Sequence, residues 1–206
     1  MNRIHETQAI VLRKVPYSES SLIISCLTPD YGRLDLMVKG ARRIQKKKYP
    51  EFDIFNELQV FFVESLSGNI HNINSSELVN SGINIANNPQ NFKKALSIVK
   101  FILNNTHFNM RTSRLYLALR KMIADMSINI VFNEWELFIK LTYLSEEGFL
   151  PKFDNDEKFA KFADFLTKLN AYCEDKNVEK PQLTENYIEK LIKWVDNICI
   201  SHSIFA

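Results

Sequence analysis

Apolar positions change their period once along this chain. Over the first 80 residues they fall in short alternating or continuous runs bounded by turn residues, the signature of strands. "TQAIVLRKV" (7–15) is β-branched and partly alternating, and "SSLIISCLT" (20–28) is an apolar run closed by Pro29-Asp30-Tyr31-Gly32. "RLDLMVKG" (33–40) places Leu34, Leu36 and Val38 on one face and Arg33, Asp35 and Lys39 on the other, with Met37 out of pattern. "FDIFNELQVFFVE" (52–64) is long and aromatic, and "GNIHNINSSEL" (68–78) sets Ile70 and Ile73 among polar residues. Five strands with no helical pattern between them predict a small barrel.

From about residue 88 the period becomes helical. Phe92, Leu96, Val99 and Leu103 mark a first helix behind Pro89. Leu115, Leu119, Met122 and Met126 mark a second, with Thr112 or Ser113 as its N-cap. A third runs from Asn133 to Gly148, with Pro151 beyond it. Phe159, Phe162, Leu166 and Leu169 mark a fourth. Ile188, Leu191, Ile192, Val195 and Ile198 mark a fifth behind Thr184, where Tyr187 leaves the capping box incomplete. Such stripes are core-facing, so the helices form a bundle packed on the barrel. The expected class is α+β in two domains, a five-stranded barrel followed by an all-α bundle, with the boundary near "NSGINIANNPQN" (80–91).

Composition is that of a globular protein: 206 residues, 46% hydrophobic, 24% charged, net charge +2. The first twenty residues are broken by charge and no apolar run approaches the length of a membrane span, so a cytoplasmic protein with no membrane partner is expected. Cys26, Cys173 and Cys199 are far apart and odd in number, which reads as free thiols.

The near-neutral total hides segregated charge. Residues 1–50 carry ten Lys/Arg against four acids, residues 51–80 five acids and no Lys/Arg, residues 81–124 seven Lys/Arg and no acid, and residues 125–206 nine Lys/Arg against fifteen acids. The net charges are +6, −5, +7 and −6. The densest cationic stretch is "KGARRIQKKK" (39–48), with six cations and no acid. A basic segment beside a small barrel points to the phosphate backbone of a nucleic acid.

Catalytic signatures are missing: there is no phosphate-binding Gly-rich loop, no dinucleotide turn, no GxSxG and no HExxH. His5, His71, His107 and His202 are scattered; Cys199 and His202 can share a helix face but have no second pair to complete a zinc site. Glu146-Glu147 reads as a solvated helix end rather than an acid–base pair. The expectation is a non-catalytic protein with no metal, cofactor or small-molecule substrate.

The cations fall into two sets. Lys39, Arg42, Arg43, Lys46, Lys47 and Lys48 lie between the third and fourth strands, and Arg13, Lys14 and Arg33 extend them. Lys93, Lys94, Arg111, Arg114, Arg120 and Lys121 form a secondary set on the helical part, Arg114 and Lys121 sharing a helix face. These would grip phosphate without sequence preference, with Tyr17, Tyr31 and Tyr49 in or beside turns as candidates for base stacking.

The stretch "AIVLRKVPYSESSLIISCLTPDYGRLDLMVKGARR" (9–43) resembles the N-terminal signature of the RecO family of bacterial recombination mediators, in Tyr17, Glu19, Ser20, Leu27, Thr28, Gly32, Arg33, Lys39, Gly40, Ala41 and Arg42. "LFIKLTYLSEEGFLP" (137–151) is similar to a later helix of that family ending in G-Y/F-x-P. The resemblance implies an OB-fold DNA-binding domain over 1–82 and a helical domain over 83–206. It implies binding of single- and double-stranded DNA, strand annealing, and help in loading recombinase in DNA repair. It also implies two partners, RecR and the acidic tail of single-strand-binding protein. Three departures stand out: the four-cysteine zinc finger of many members is missing, the C-terminal third is shorter than is usual in that family, and the approach to the third helix, Asn133-Glu134-Trp135-Glu136, is acidic where that family is basic. The alternative is a protein-interaction adaptor for RecR or single-strand-binding protein with little DNA affinity, its docking face the acidic block 125–206; an RNA-binding barrel is a third reading.

Overall fold

A computed structural model of the chain describes residues 3–41, 50–66, 68–128, 134–151, 157–174, 176 and 178–205. Arg42, Arg43, Lys46, Lys47, Lys48 and Tyr49, and the side chain of Phe159, lie outside the described residues.

Five strands, β1 (Ile4–Tyr17), β2 (Ser21–Thr28), β3 (Gly32–Val38), β4 (Glu57–Val63) and β5 (Ile70–Asn80), close into a barrel in the order β1-β2-β3-β5-β4. β3 and β5 pair in parallel and the other neighbours pair antiparallel, so the barrel has OB-fold connectivity. Its interior is filled by Ala9, Val11, Ile24, Cys26, Leu34, Leu36, Val38, Leu58, Val60 and Phe62, the inward members of alternating pairs. Each fully buried aliphatic or aromatic chain contributes about 1.5–3 kcal/mol.

A β-bulge decides what the barrel displays. Ala9 and Val11 point inward, and strict alternation would send Arg13 inward as well. The β1–β2 register skips one residue between Val11 and Arg13. Leu12, the extra residue, is buried against the helices, and Arg13 is turned outward opposite Ser25. The partial alternation of this strand in sequence is the trace of that bulge.

The fourth strand begins at Glu57, not at residue 52. Pro50–Phe52 forms a 3-10 turn and Phe55 adopts a left-handed backbone, φ 72°, so the apolar residues ahead of the strand turn into the two cores rather than extend it. Phe52 fills the interior, and Phe55 packs on Phe92 of the first helix.

Five helices follow: α1 (Pro89–Asn105), α2 (Ser113–Ser127), α3 (Trp135–Glu146), α4 (Glu157–Cys173) and α5 (Glu185–Ser201). α1 is capped by Asn88, whose side chain accepts from the amides of Gln90 and Asn91. Its buried stripe is Ala95, Ile98, Val99, Phe101 and Ile102, rotated from the expected one, and Leu96 is exposed. On α5 the core takes Leu191, Val195 and Cys199 and leaves Ile192 exposed.

The outer face of the barrel and the helices share a second apolar core, separate from the barrel interior. Ile10, Leu12 and Leu27 from the outer face of β1 and β2 belong to the same cluster as the helix stripes. Hydrogen bonds fix the junction. Thr112 Oγ1 donates to Thr28 O (2.6 Å) and Ser113 Oγ to Pro29 O (3.1 Å), so the hydroxyls expected to cap α2 tie it to the β2–β3 turn instead. Buried Glu57 accepts from Tyr116 Oη (2.6 Å) and from Asn80 Nδ2 (2.5 Å).

The N-terminus of α2 is served from another helix. The Glu146 carboxylate accepts from the Arg114 amide (2.9 Å) and the Leu115 amide (3.0 Å), where the helix dipole favours an anion. Glu146 is therefore a cap in trans, not a solvated helix end. The Glu147 carboxyl is raised above its ordinary range by burial and by Glu146 beside it. Glu146→Ala should cost about 1–2 kcal/mol in urea unfolding, as loss of an N-cap does, and Glu146→Gln should restore part of it.

Candidate nucleic-acid interface

The outward face of β1, β2 and β3 can be read from the register. Arg13 pairs with Ser25, Ser25 with Asp35, and Asp35 with Ile70, forming one row across four strands. The next row is Val15, Ile23, Met37 and Asn72. Beyond it Tyr17 pairs with Ser21, and Lys39 follows Val38, the partner of Leu22. Strands lie about 4.8 Å apart, so each row spans roughly 14 Å.

This face is apolar in its middle and cationic at its margins. Tyr17 is 47% exposed and Val15 42%, while Ile23 and Met37 are half-buried. Arg13 donates to Ser25 Oγ (3.3 Å), which donates to Asp35 Oδ1 (2.5 Å). Asp35 thus anchors the cation on the sheet, and at the opposite corner exposed Lys39 opens the basic segment. Gly40 follows at φ 72°, a left-handed position that a side chain resists, and turns the chain out of the barrel. In OB-folds the β2–β3 face and the β1–β2 and β4–β5 loops hold oligonucleotides. Here those loops are residues 18–20 and 64–69.

The other cations are distributed differently. Lys14 pairs with Asp53 beside the 3-10 turn. Arg33 donates through Nη1 to Leu103 O (2.5 Å) at the end of α1, so it braces the barrel against the helices. Lys93 and Lys94 are exposed in the second turn of α1. Arg111 and Arg114 are exposed beyond its other end, which lies about 18 Å along the helix axis from Lys93. Arg114 lies 3.5 Å from Ser145 Oγ. Arg120 lines a cleft with Glu57 and Asn80. Lys121 pairs with buried Asp125 (3.4 Å) and lies 4.8 Å over the Tyr172 ring. The secondary set is therefore spread along the helical layer rather than gathered. Among the described primary cations, the sheet face brings together Arg13 and Lys39.

Tyr31 does not present its ring for stacking. It is hydrogen-bonded to His5 Nδ1 (3.2 Å) and packs edge-on against Phe62 (5.3 Å). Of the two described tyrosines expected to stack on bases, Tyr17 is the one with an exposed ring. Reasoning from sequence missed Val15, Ile23 and Met37 as the apolar middle of the face. The available signal was Met37, the one apolar residue on the polar side of β3.

His71 shapes the β4–β5 loop. It is buried, and its Nδ1 accepts from the Ser65 amide (3.1 Å), which leaves the proton on Nε2. Burial holds its pKa below the ordinary 6.5, against the opposing pull of Glu64 and Asp35. The unfolded chain takes up this proton first as pH falls. The stability His71 contributes is thus complete above about 6.5 and is lost as pH drops from there toward the lowered folded value. Urea midpoints between about pH 7.5 and 5 should fall more steeply for the native chain than for His71→Gln.

Among the described residues, no group of three or more His, Cys, Asp or Glu is placed to hold a metal ion. The three cysteines are free and buried, and the Cys26 thiol is pushed up by burial and then by Asp35. Cys199 lies in the helical core while His202 packs on Phe149 (4.7 Å), so the two do not make a site. No helix among the described residues is long and apolar enough to cross a membrane.

The sequence profile described as "Recombination protein O N terminal" matches residues 1–82, which spans the whole barrel. Residues 1–82 are thus similar to the N-terminal domain of the RecO family. Proteins named DNA repair protein RecO are also similar to it, two of those that follow over a longer stretch. That of Thermodesulfovibrio yellowstonii is 28% identical over 151 residues, 73% of this chain and 60% of the relative. That of Thermoanaerobacter sp. is 28% identical over 160 residues, 74% of this chain and 61% of the relative. That of Burkholderia pseudomallei is 45% identical over 65 residues, 32% of this chain and 22% of the relative. The chain thus matches about three fifths of the length of the first two relatives.

Proposed function

We propose that this chain is a non-catalytic DNA-binding mediator of repair and homologous recombination. In this reading it binds single- and double-stranded DNA, anneals complementary strands and assists recombinase loading together with a RecR partner. The observation that carries the proposal is the exposed row Val15–Ile23–Met37 with Tyr17 beside it, set between Arg13 and Lys39 on the barrel of a RecO-family domain. Bases have apolar faces and a charged backbone, and this surface offers both complements. Asp35 disfavours phosphate at the centre of the sheet, so the backbone would run along the Lys39 margin and the basic segment that follows, with bases laid over the apolar row. Arg33 and Lys121, bound elsewhere, would serve as braces rather than phosphate contacts.

Titration of a fluorescent single-stranded oligonucleotide tests the placement. Tyr17→Ala should weaken binding by about 1–3 kcal/mol, roughly 5- to 150-fold, if a base stacks there. Because no phosphate contact is lost, the salt dependence should stay the same. Unchanged affinity would remove Tyr17 from the interface. No binding of either strand form at low salt would leave the adaptor reading in its place.

A further inference from the structure

The sheet face carries one charged group that gripping phosphate does not use. Asp35 lies in the row Arg13–Ser25–Asp35–Ile70, two residues along β3 from Met37 and the apolar row. It is half-buried, and its Oδ1 accepts from Ser25 Oγ (2.5 Å). Arg13 reaches it through that hydroxyl, 3.3 Å from Ser25 Oγ. Among the described residues the second oxygen, Oδ2, accepts no hydrogen bond, and no Lys or Arg pairs with Asp35 directly. A carboxylate with acceptor capacity to spare works against an anionic backbone. It is favourable only toward a neutral donor.

The order of groups along β3 brings such a donor to it. Asp35, Met37 and Lys39, just past the end of the strand, follow at two-residue steps. Such steps are about 6.8 Å each on one side of a strand, about 13 Å from Asp35 to Lys39. A nucleotide laid along this line, phosphate at Lys39 and ring over Met37, turns its hydrogen-bonding edge to Asp35. Bases differ at that edge. Cytosine, adenine and guanine carry an exocyclic amine, whereas thymine and uracil carry a carbonyl where cytosine has its amine. An ionised carboxylate only accepts, so it binds the amine and repels the carbonyl. Asn72, exposed beside Met37, has both a donor and an acceptor and so favours neither.

We propose that Asp35 is a specificity-determining residue of the sheet face. It accepts from the exocyclic amines of bases and favours strands that carry them over strands of thymine or uracil. The inference rests on the DNA-binding reading and adds base discrimination to it.

Deoxycytidine and deoxyuridine homopolymers of equal length isolate the group, because their pyrimidine rings differ at the amine edge and neither bears a methyl group. Each competes against a fluorescent oligonucleotide for the full chain, at low salt and at a mildly alkaline pH that keeps cytosine neutral. The native chain should bind the cytidine strand about fivefold or more tightly than the uridine strand. Asp35→Asn keeps an acceptor for Ser25, adds a donor and removes a negative charge. It should tighten both strands and bring their ratio to about one. A purely structural role for Asp35 would move both affinities together and leave the ratio unchanged. Equal affinities in the native chain, tighter binding of uridine, or a cytidine preference that survives Asp35→Asn would overturn the proposal and leave DNA binding standing. No binding of either strand would overturn it together with the reading on which it rests.

Discussion

Gly32→Ala should destabilise the chain by about 2–5 kcal/mol, more than loss of the Glu146 cap. Gly32 opens β3 at φ 68°, a left-handed backbone that costs an alanine about 1–2 kcal/mol. A Cβ there would also press on His107 O and come within 2.6 Å of Met110 O. Both contacts are backbone atoms of the segment leading into α2, which cannot rotate aside as a side chain can. Relieving them means moving the segment and losing its bonds to the barrel: Arg33 N to His107 O (3.1 Å), Asn109 N to Tyr31 O (2.9 Å) and Thr112 Oγ1 to Thr28 O (2.6 Å). Overpacking of this kind adds about 1–3 kcal/mol. Typical domains hold about 5–15 kcal/mol in all, and at this size each kcal/mol moves the thermal midpoint by about 2–4 °C. Circular dichroism melts should show a drop of roughly 5–20 °C. Gly68→Ala, whose Cβ would meet nothing within 4 Å, is the control and should melt with the native chain. Equal midpoints for the two variants would contradict the docking of the β2–β3 turn on residues 107–112.

Much of the fold was legible in the sequence because the signals are local. β3 alternates almost perfectly, and Leu34, Leu36 and Val38 do point inward. Leu115, Leu119, Met122 and Met126 are all buried on α2, as their spacing requires. The local pattern failed where a distant contact overrode it. Phe55 bends away from the strand because Phe92 receives it. Ala95 faces the core and Leu96 does not, so the buried face of α1 is not the one its larger apolar residues mark. Thr112 carries the right hydroxyl for a cap, yet a carbonyl of the barrel claims it and Glu146 takes over the free amides.

The site was legible in charge but not in placement. Sequence shows that Arg13, Arg33 and Lys121 are cations; it does not show that Arg33 braces α1 or that Lys121 answers a buried Asp125. Arg13 reaches the sheet face through a one-residue bulge that alternation alone would not place. Met37 stood out as an exception, and it proved to lie in the middle of the exposed row.

The largest expected effect on binding comes from the basic segment itself. Replacing Arg42, Arg43, Lys46, Lys47 and Lys48 with alanine removes five positive charges from the stretch that follows Lys39 in sequence. Each phosphate contact on a single strand contributes about −0.7 to the slope of log affinity against log salt, so five contribute about −3.5. Counterion release on that scale is worth about 10²-fold in affinity near 0.2 M salt, and more as salt falls. Residual affinity should come from Arg13, Lys39 and the apolar row, and should vary less steeply with salt.

The most direct measurement is therefore that slope, determined with a labelled single-stranded oligonucleotide between about 50 and 200 mM salt for the native chain and for the five-alanine variant. A slope steeper by about 3.5 is expected in the native chain. Equal slopes for the two proteins would contradict that placement and would take the phosphate backbone away from residues 42–48.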